Sequence, residues 1–295
     1  MSRDSKYCGV DEHKILGASP TFVEGRSETF THYINERCAI QKRRYDHLSP
    51  PWTEDRVLRD YRFTNISRKD DRVSKWFIKN IAEESSLTTR YKFYNTLVFR
   101  AFNKIETAES LNLPFTVSTI KDLRNLIDEM RSRGYNKHFG TAYFQSGLKG
   151  AWKTDEDTSK RMVDMLEWVI DNGYYRKIKD TKNQKECFEM IKEIPGFADF
   201  MAYQVFVDLT YIPEFPFTDT EFTVSGPGCN KGIDALFESK DGMTYEECIF
   251  WIRDNQDEFN LCKTVSVMDI ENCFCEFSKY VGIQLNPKKR MRKFN

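Results

Sequence analysis

Apolar residues recur at helical spacing along most of this chain. Between Glu28 and Asp46, Phe30, Tyr33, Ile34, Ala39 and Ile40 fall on one face, and Ser49-Pro50-Pro51 then stops the helix. Thr53, followed by Glu54 and Asp55, predicts the N-cap of a short helix. The clearest periodicity runs from Leu87 to Ile105, where Leu87, Tyr91, Tyr94, Leu97, Phe102 and Ile105 trace one apolar stripe. Further helices are predicted near Ser118–Arg133, Asp155–Asp171, Asn183–Ile194, Ala198–Leu209, Thr244–Phe259 and Ser266–Tyr280. Alternation of the strand kind is confined to Thr141–Phe144, so the predicted class is all-α. Residues 1–26 lack periodicity and read as a loose leader, 27–282 as the folded domain, and 283–295 as a basic tail.

Composition narrows the picture. Of 295 residues, 14% are aromatic, which calls for a large packed interior of one core or two closely packed lobes. Basic and acidic residues balance at 45 each, excluding indiscriminate electrostatic binding by the whole surface, so any DNA contact must be local. Charge is segregated instead: Lys288, Lys289, Arg290, Arg292 and Lys293 crowd the end, whereas Pro195–Asn260 holds 13 acidic and three basic residues. Eight cysteines without C-x₂-C pairs read as reduced thiols of an intracellular protein, not as a disulfide framework or metal site. No apolar run approaches membrane-spanning length.

Candidate chemistry begins at Ile194-Pro195-Gly196-Phe197-Ala198, a tight turn between two amphipathic segments. Gly196 could let backbone N–H groups of the second helix approach a phosphate; an ordinary inter-helix turn would look the same. Downstream lies Pro216-Phe217-Thr218-Asp219-Thr220-Glu221. The order resembles the helix-hairpin-helix DNA glycosylases, in which a hairpin precedes a catalytic Asp. That resemblance implies a glycosylase-like helical bundle with Asp219 as the matching carboxylate, and a hairpin that could hold a monovalent cation; no other cofactor and no metal is implied. The match is incomplete: Ala198 replaces the second hairpin Gly, Phe200 stands where bifunctional members carry Lys, and Glu221 replaces His. Next comes Ser225-Gly226-Pro227-Gly228-Cys229-Asn230-Lys231-Gly232, whose Gly226, Gly228 and Lys231 could face a phosphate or simply build a loop. No Gly-Lys dipeptide occurs, so the chain contains no P-loop of its own.

Five ordered segments resemble the helical domain of 5-hydroxymethyldeoxyuridine (5-hmdU) DNA kinases and the related thymine pyrophosphorylases. They are Pro51-Trp52-Thr53-Glu54-Asp55; Tyr61-Arg62-Phe63-Thr64-Asn65 with Arg68, Asp71 and Arg72; Phe99-Arg100-Ala101-Phe102-Asn103-Lys104; the Gly226–Gly232 segment; and Ile270–Tyr280. The resemblance implies chemistry on thymine-derived bases of DNA, with modified DNA and a separately encoded P-loop kinase as partners. Three activities fit. One is group transfer at the 5-methylene carbon after base flipping, using Asp219, Lys231 and Glu271. The others are a non-catalytic DNA-binding module and a monofunctional glycosylase. Arg62, Arg68, Arg72, Arg100 and Lys279 are candidate phosphate or DNA contacts. If the chain is helical after Asn65, Arg68 and Arg72 share a face, unless they pair with Asp70, Asp71 or Glu106. Trp52, Asn65 and Asn103 are candidates for reading a flipped base, with core packing as the competing role for the aromatics. Glu276 and Lys279, at i, i+3, could pair with each other.

Overall fold

The computed structural model describes residues 6–116, 122–135, 137–140, 150–152, 158–262 and 264–286. In chain order these form α1 (Glu12–Gly17), β1 (Thr21–Phe22), α2 (Arg26–Tyr45), α3 (Arg56–Asp60), α4 (Arg72–Phe77), α5 (Thr89–Phe102), α6 (Ile105–Ser110), α7 (Leu123–Ser132), α8 (Thr158–Asp171), α9 (Tyr174–Lys179), α10 (Gln184–Lys192), α11 (Asp199–Leu209), α12 (Pro227–Leu236), β2 (Phe237–Ser239), α13 (Tyr245–Asp254) and α14 (Val267–Leu285). A 3₁₀ turn at Arg68–Asp70 and a π-helical turn at Ile78–Ala82 complete them. The all-α expectation is met; one antiparallel strand pair, Thr21 opposite Ser239 and Phe22 opposite Phe237, is the sole sheet among the described residues. The Thr141–Phe144 strand candidate lies outside the described residues, as do the tail cations.

The chain divides into two compact units, residues 1–71 with 219–295, and 72–218. In the first, α14 is the central helix and packs on α2, α3, α12 and α13. Its buried side reads Ile270, Cys273, Phe274, Phe277, Tyr280, a helical stripe that meets Phe30 and Tyr33 of α2. Phe30 stacks on Phe274 at 5.0 Å and meets Phe277 edge-on at 5.1 Å, the offset arrangements that ring quadrupoles favour. The closest approach is between α14 and α12. A Cβ on Gly232 would fall 2.0 Å from the Phe274 carbonyl oxygen, so glycine is required there; one on Gly228 would fall 2.6 Å from Cys275 Sγ, which would have to move aside.

Residues 6–26 are folded. Asp11 caps α1 by accepting from the His13 and Lys14 N–H groups, Lys14 pairs with Glu247 at 2.8 Å, and Tyr7 and Ile15 are buried. A six-residue helix is too short to show periodicity, which is why the segment read as a leader. At the other end α14 runs past Tyr280, burying Ile283, so helix occupies the start of the expected tail. Asp55, not Thr53, caps α3, accepting from Leu58 N–H at 3.0 Å. Cys38 is joined to Cys262 in a disulfide, against the expectation of eight reduced thiols; the other six cysteines carry no disulfide.

The second unit is built around α5, eleven of whose residues are buried, packed by α8, α9 and α11. Helices α10 and α11 are joined through Ile194-Pro195-Gly196-Phe197, with Gly196 at φ +91°, a conformation natural to glycine. The helix pair and its turn are present as read; a turn of this kind is common among helical proteins and does not by itself make a glycosylase scaffold.

Candidate functional site

The first turns of α14, the N-terminus of α12 and the 3₁₀ turn bring chemical groups together in the first unit. Gly226 is the N-cap of α12, and its N–H donates to the Glu271 carboxylate. Burial pushes Glu271 up to about 7, against the opposing pull of Arg68 and of that N–H. The Gly226 segment therefore does not form an open phosphate loop: Pro227 starts a helix, and the freed amide holds a side chain of this protein. Cys275, one turn on, is pushed by burial to about 11, so its thiol stays protonated at neutral pH.

Arg68 is fixed from both sides. Its N–H donates to Asp269 Oδ1 at 3.0 Å, in the first turn of α14, and its charge acts on Glu271, Cys275 and Asp71. Its neighbour Lys69 pairs with Asp219 at 2.9 Å, and the Asp219 carbonyl accepts from Met268 N–H. Asp71 accepts from Asn65 N–H at 3.2 Å; burial first, and Glu276 further on, push it up to about 6. Behind this row lies Arg37 of α2, 2% exposed, which donates to the carbonyls of Phe63 and Thr64, while its Nε and Nη1 have no partner. Asn272 donates to Thr64 Oγ1 at 3.0 Å and to the Asn65 carbonyl at 3.3 Å. The Tyr61–Asn65 segment is thus clamped between α2 and α14.

The cluster unites Arg68, Asp219, Gly226 and Glu271 of the sequence candidates. Lys69 was missed, though an Arg-Lys pair beside two acids was its signal. Other candidates go elsewhere. Lys231 is exposed, with no ion pair among the described residues, and Arg62 is exposed as well. Lys279 pairs with Glu276, the competing reading of those two residues. Asn65 Nδ2 donates to the Asp70 carbonyl at 3.1 Å, an internal use of the amide. Arg68 and Arg72 do not share a face, because extended backbone at Asp71 separates the 3₁₀ turn from α4.

Arg72, Arg100, Asn103 and Gly196 belong to the second unit. Arg72 pairs with Glu106 at 3.4 Å. Arg100, expected at phosphate, is 2% exposed and spends its guanidinium on Asp208, itself fully buried, and on Asn103 Oδ1 at 2.9 Å. Asn103 closes α5 in the left-handed region, φ +46°, so both side chains are engaged within the unit's interior.

Trp52 lines two cavities of the first unit, of about 350 and 450 Å³. Its indole N–H donates to the Leu48 carbonyl at 2.7 Å, and the Arg44 guanidinium lies 5.2 Å from the ring.

These features define an all-helical protein whose charged cluster is organised by one long C-terminal helix. The sequence model of the family described as 5-hmdU DNA kinase, helical domain, matches residues 24–290, and the chain belongs to that family. A 5-hmdU DNA kinase of Bacillus phage SP10 is 28% identical over 310 residues, a match covering 94% of this chain and 48% of the phage protein, so the chain spans about half the length of that relative. No solved structure matches. No helix among the described residues is long and apolar enough to cross a membrane.

Proposed function

We propose that the chain takes part in the modification of 5-hydroxymethyluracil in DNA. In this reading it transfers a group at the 5-methylene carbon of a flipped base whose hydroxymethyl group is already phosphorylated or pyrophosphorylated. The observation that carries the reading is Glu271, a carboxylate at about 7 under the charge of Arg68, whose chain neighbour Lys69 pairs with Asp219. Such a group can take a proton near neutral pH, and the neighbouring cations suit a phosphate leaving group. An amine nitrogen bonds to the methylene carbon, the carbon–oxygen bond to phosphate breaks, and phosphate or pyrophosphate departs with the electron pair. The proton of the amine passes to Glu271. Arg68 and Lys69 hold the departing oxygens, and Asp219 positions Lys69.

A second reading is favoured by the name of the phage relative. Here the chain is the substrate-holding part of a phosphoryl-transfer system, and a separate P-loop partner supplies the ATP chemistry. The test incubates the chain with duplex DNA carrying phosphorylated or pyrophosphorylated hydroxymethyluracil and an amine, followed by nucleoside mass spectrometry. The transferase reading expects a carbon–nitrogen product and a rate at least about 100-fold lower for Glu271→Gln, with DNA binding retained. Selective binding of hydroxymethyluracil DNA without turnover leaves the substrate-holding reading. Abasic sites would favour glycosylase action instead, and the absence of binding and turnover would overturn all three.

A further inference from the structure

Two cavities of the first unit have a common wall, Pro51-Trp52-Thr53, and differ in character. The smaller, about 350 Å³, is bounded by Ile40, Pro50, Pro51, Trp52 and Leu58, with Arg59 at its wall, and its size lies within the range of small-molecule pockets. The larger, about 450 Å³, is bounded by His32, Glu36, Arg43, Glu54 and Asp55. Neither is part of the Glu271 cluster. Tyr280, which donates to Asp55 at 2.6 Å, lies nine residues beyond Glu271 on α14, a rise of roughly 14 Å.

The polar chamber contains an ordered His–Asp pair. Asp55 Oδ1 accepts from Leu58 N–H at 3.0 Å, and Oδ2 accepts from Tyr280 and lies 3.0 Å from His32 Nε2. With Nε2–H donating to this carboxylate, His32 Nδ1 is a free acceptor on a ring that is 51% exposed. Glu54 is exposed and has no ion pair among the described residues. Arg43, the cation lining this chamber, pairs with Glu36 at 2.9 Å and donates to the Trp52 carbonyl; outside it, Arg59 pairs with Asp60 at 3.2 Å and Arg44 lies over the Trp52 ring at 5.2 Å. An anionic ligand would therefore meet acceptors and one uncompensated carboxylate. A ligand rich in N–H donors would meet partners.

We infer that this cavity pair is a binding site for a small primary amine with an apolar body. The body lies in the smaller chamber against Trp52, and the ammonium donates to His32 Nδ1 and Glu54. The inference stands independently of the proposed reaction, since it uses none of the same residues.

The test is ligand-observed NMR on the full chain with four probes of similar length: hexylammonium, hexanol, hexanoate and hexyltrimethylammonium. Hexylammonium should bind saturably and hexanoate should not, with hexanol between them. Glu54→Gln, on the exposed rim, should weaken hexylammonium about fivefold and leave hexanol unchanged. His32→Gln should weaken hexylammonium while sparing hexyltrimethylammonium, which has no N–H to donate. Trp52→Ala, with circular dichroism to check folding, should remove binding of hexylammonium, hexanol and hexyltrimethylammonium alike. Hexanoate binding as tightly as hexylammonium, hexylammonium affinity untouched by Glu54→Gln, or no saturable binding by the wild-type chain would each overturn the inference.

Discussion

At Glu271 the protein keeps a carboxyl group whose ionisation works against folding. Its folded value of about 7 lies above the ordinary 4.5, so between those values the native state binds more protons than the unfolded chain. Stability from this group is therefore complete below about pH 4.5 and is lost as pH rises through 7. Asp71, at about 6, adds to the same slope. Glu271→Gln removes its share: in urea titrations the variant should gain on the wild type by on the order of 2 kcal/mol at pH 8 and by little at pH 5. Equal differences at the two pH values would place the proton elsewhere. Arg100 makes the opposite case, a buried charge fully matched by Asp208. Arg100→Met should cost about 3–5 kcal/mol by stranding Asp208, and adding Asp208→Leu should recover much of that loss in the same unfolding assay. Sequence could not separate Arg100 from a phosphate contact, because an arginine amid aromatics is compatible with both; its partner lies 108 positions away.

The longer elements were legible because the 3.6-residue stripe is a direct record of which side each helix buries. The helices predicted near 28–46, 87–105, 183–194, 198–209 and 244–259 formed with ends shifted by only a few residues. Those missed, α1, α4, α6 and α9, are six residues long, less than two turns and too short to show a stripe; of them α1 is held by the Asp11 cap. The charged cluster was half legible: Asp219, Glu271 and Arg68 were singled out, but the break at Asp71 depends on the Asn65 N–H bond and leaves no pattern. The glycines of α12, which in sequence fit either a phosphate-facing or a connecting loop, form a helix contact surface. Gly232→Ala should destabilise the chain by about 3 kcal/mol, since the obstruction is the Phe274 backbone. Gly228→Ala should cost less, because Cys275 Sγ can rotate aside, and Gly17→Ala, with nothing within 4 Å, serves as the control in thermal melts.

On the scale of the whole molecule, the balanced charge and the acidic middle leave the C-terminal cations as the densest basic segment in the sequence. If the chain binds DNA, replacing Lys288, Lys289, Arg290, Arg292 and Lys293 with Ser should flatten the slope of log affinity against log salt by up to about 4. An unchanged slope would assign the phosphate contacts to other residues. The division into units was not visible in the sequence, since the crossings at Asp71 and Asp219 carry no linker composition.

That division sets an order of events during synthesis. The first unit is interrupted by the whole of the second, so Phe30 and Tyr33 emerge from the ribosome long before Phe274 and Phe277 exist to cover them. At about 5–20 residues per second the wait is roughly 10–50 s, ample for the intervening segment to collapse first. A chain truncated after Thr218 and released from the ribosome should therefore yield protease-resistant fragments from the second unit and a freely digested N-terminal third. For this protein, translation speed and chaperone shelter bear on the early aromatic helix above all.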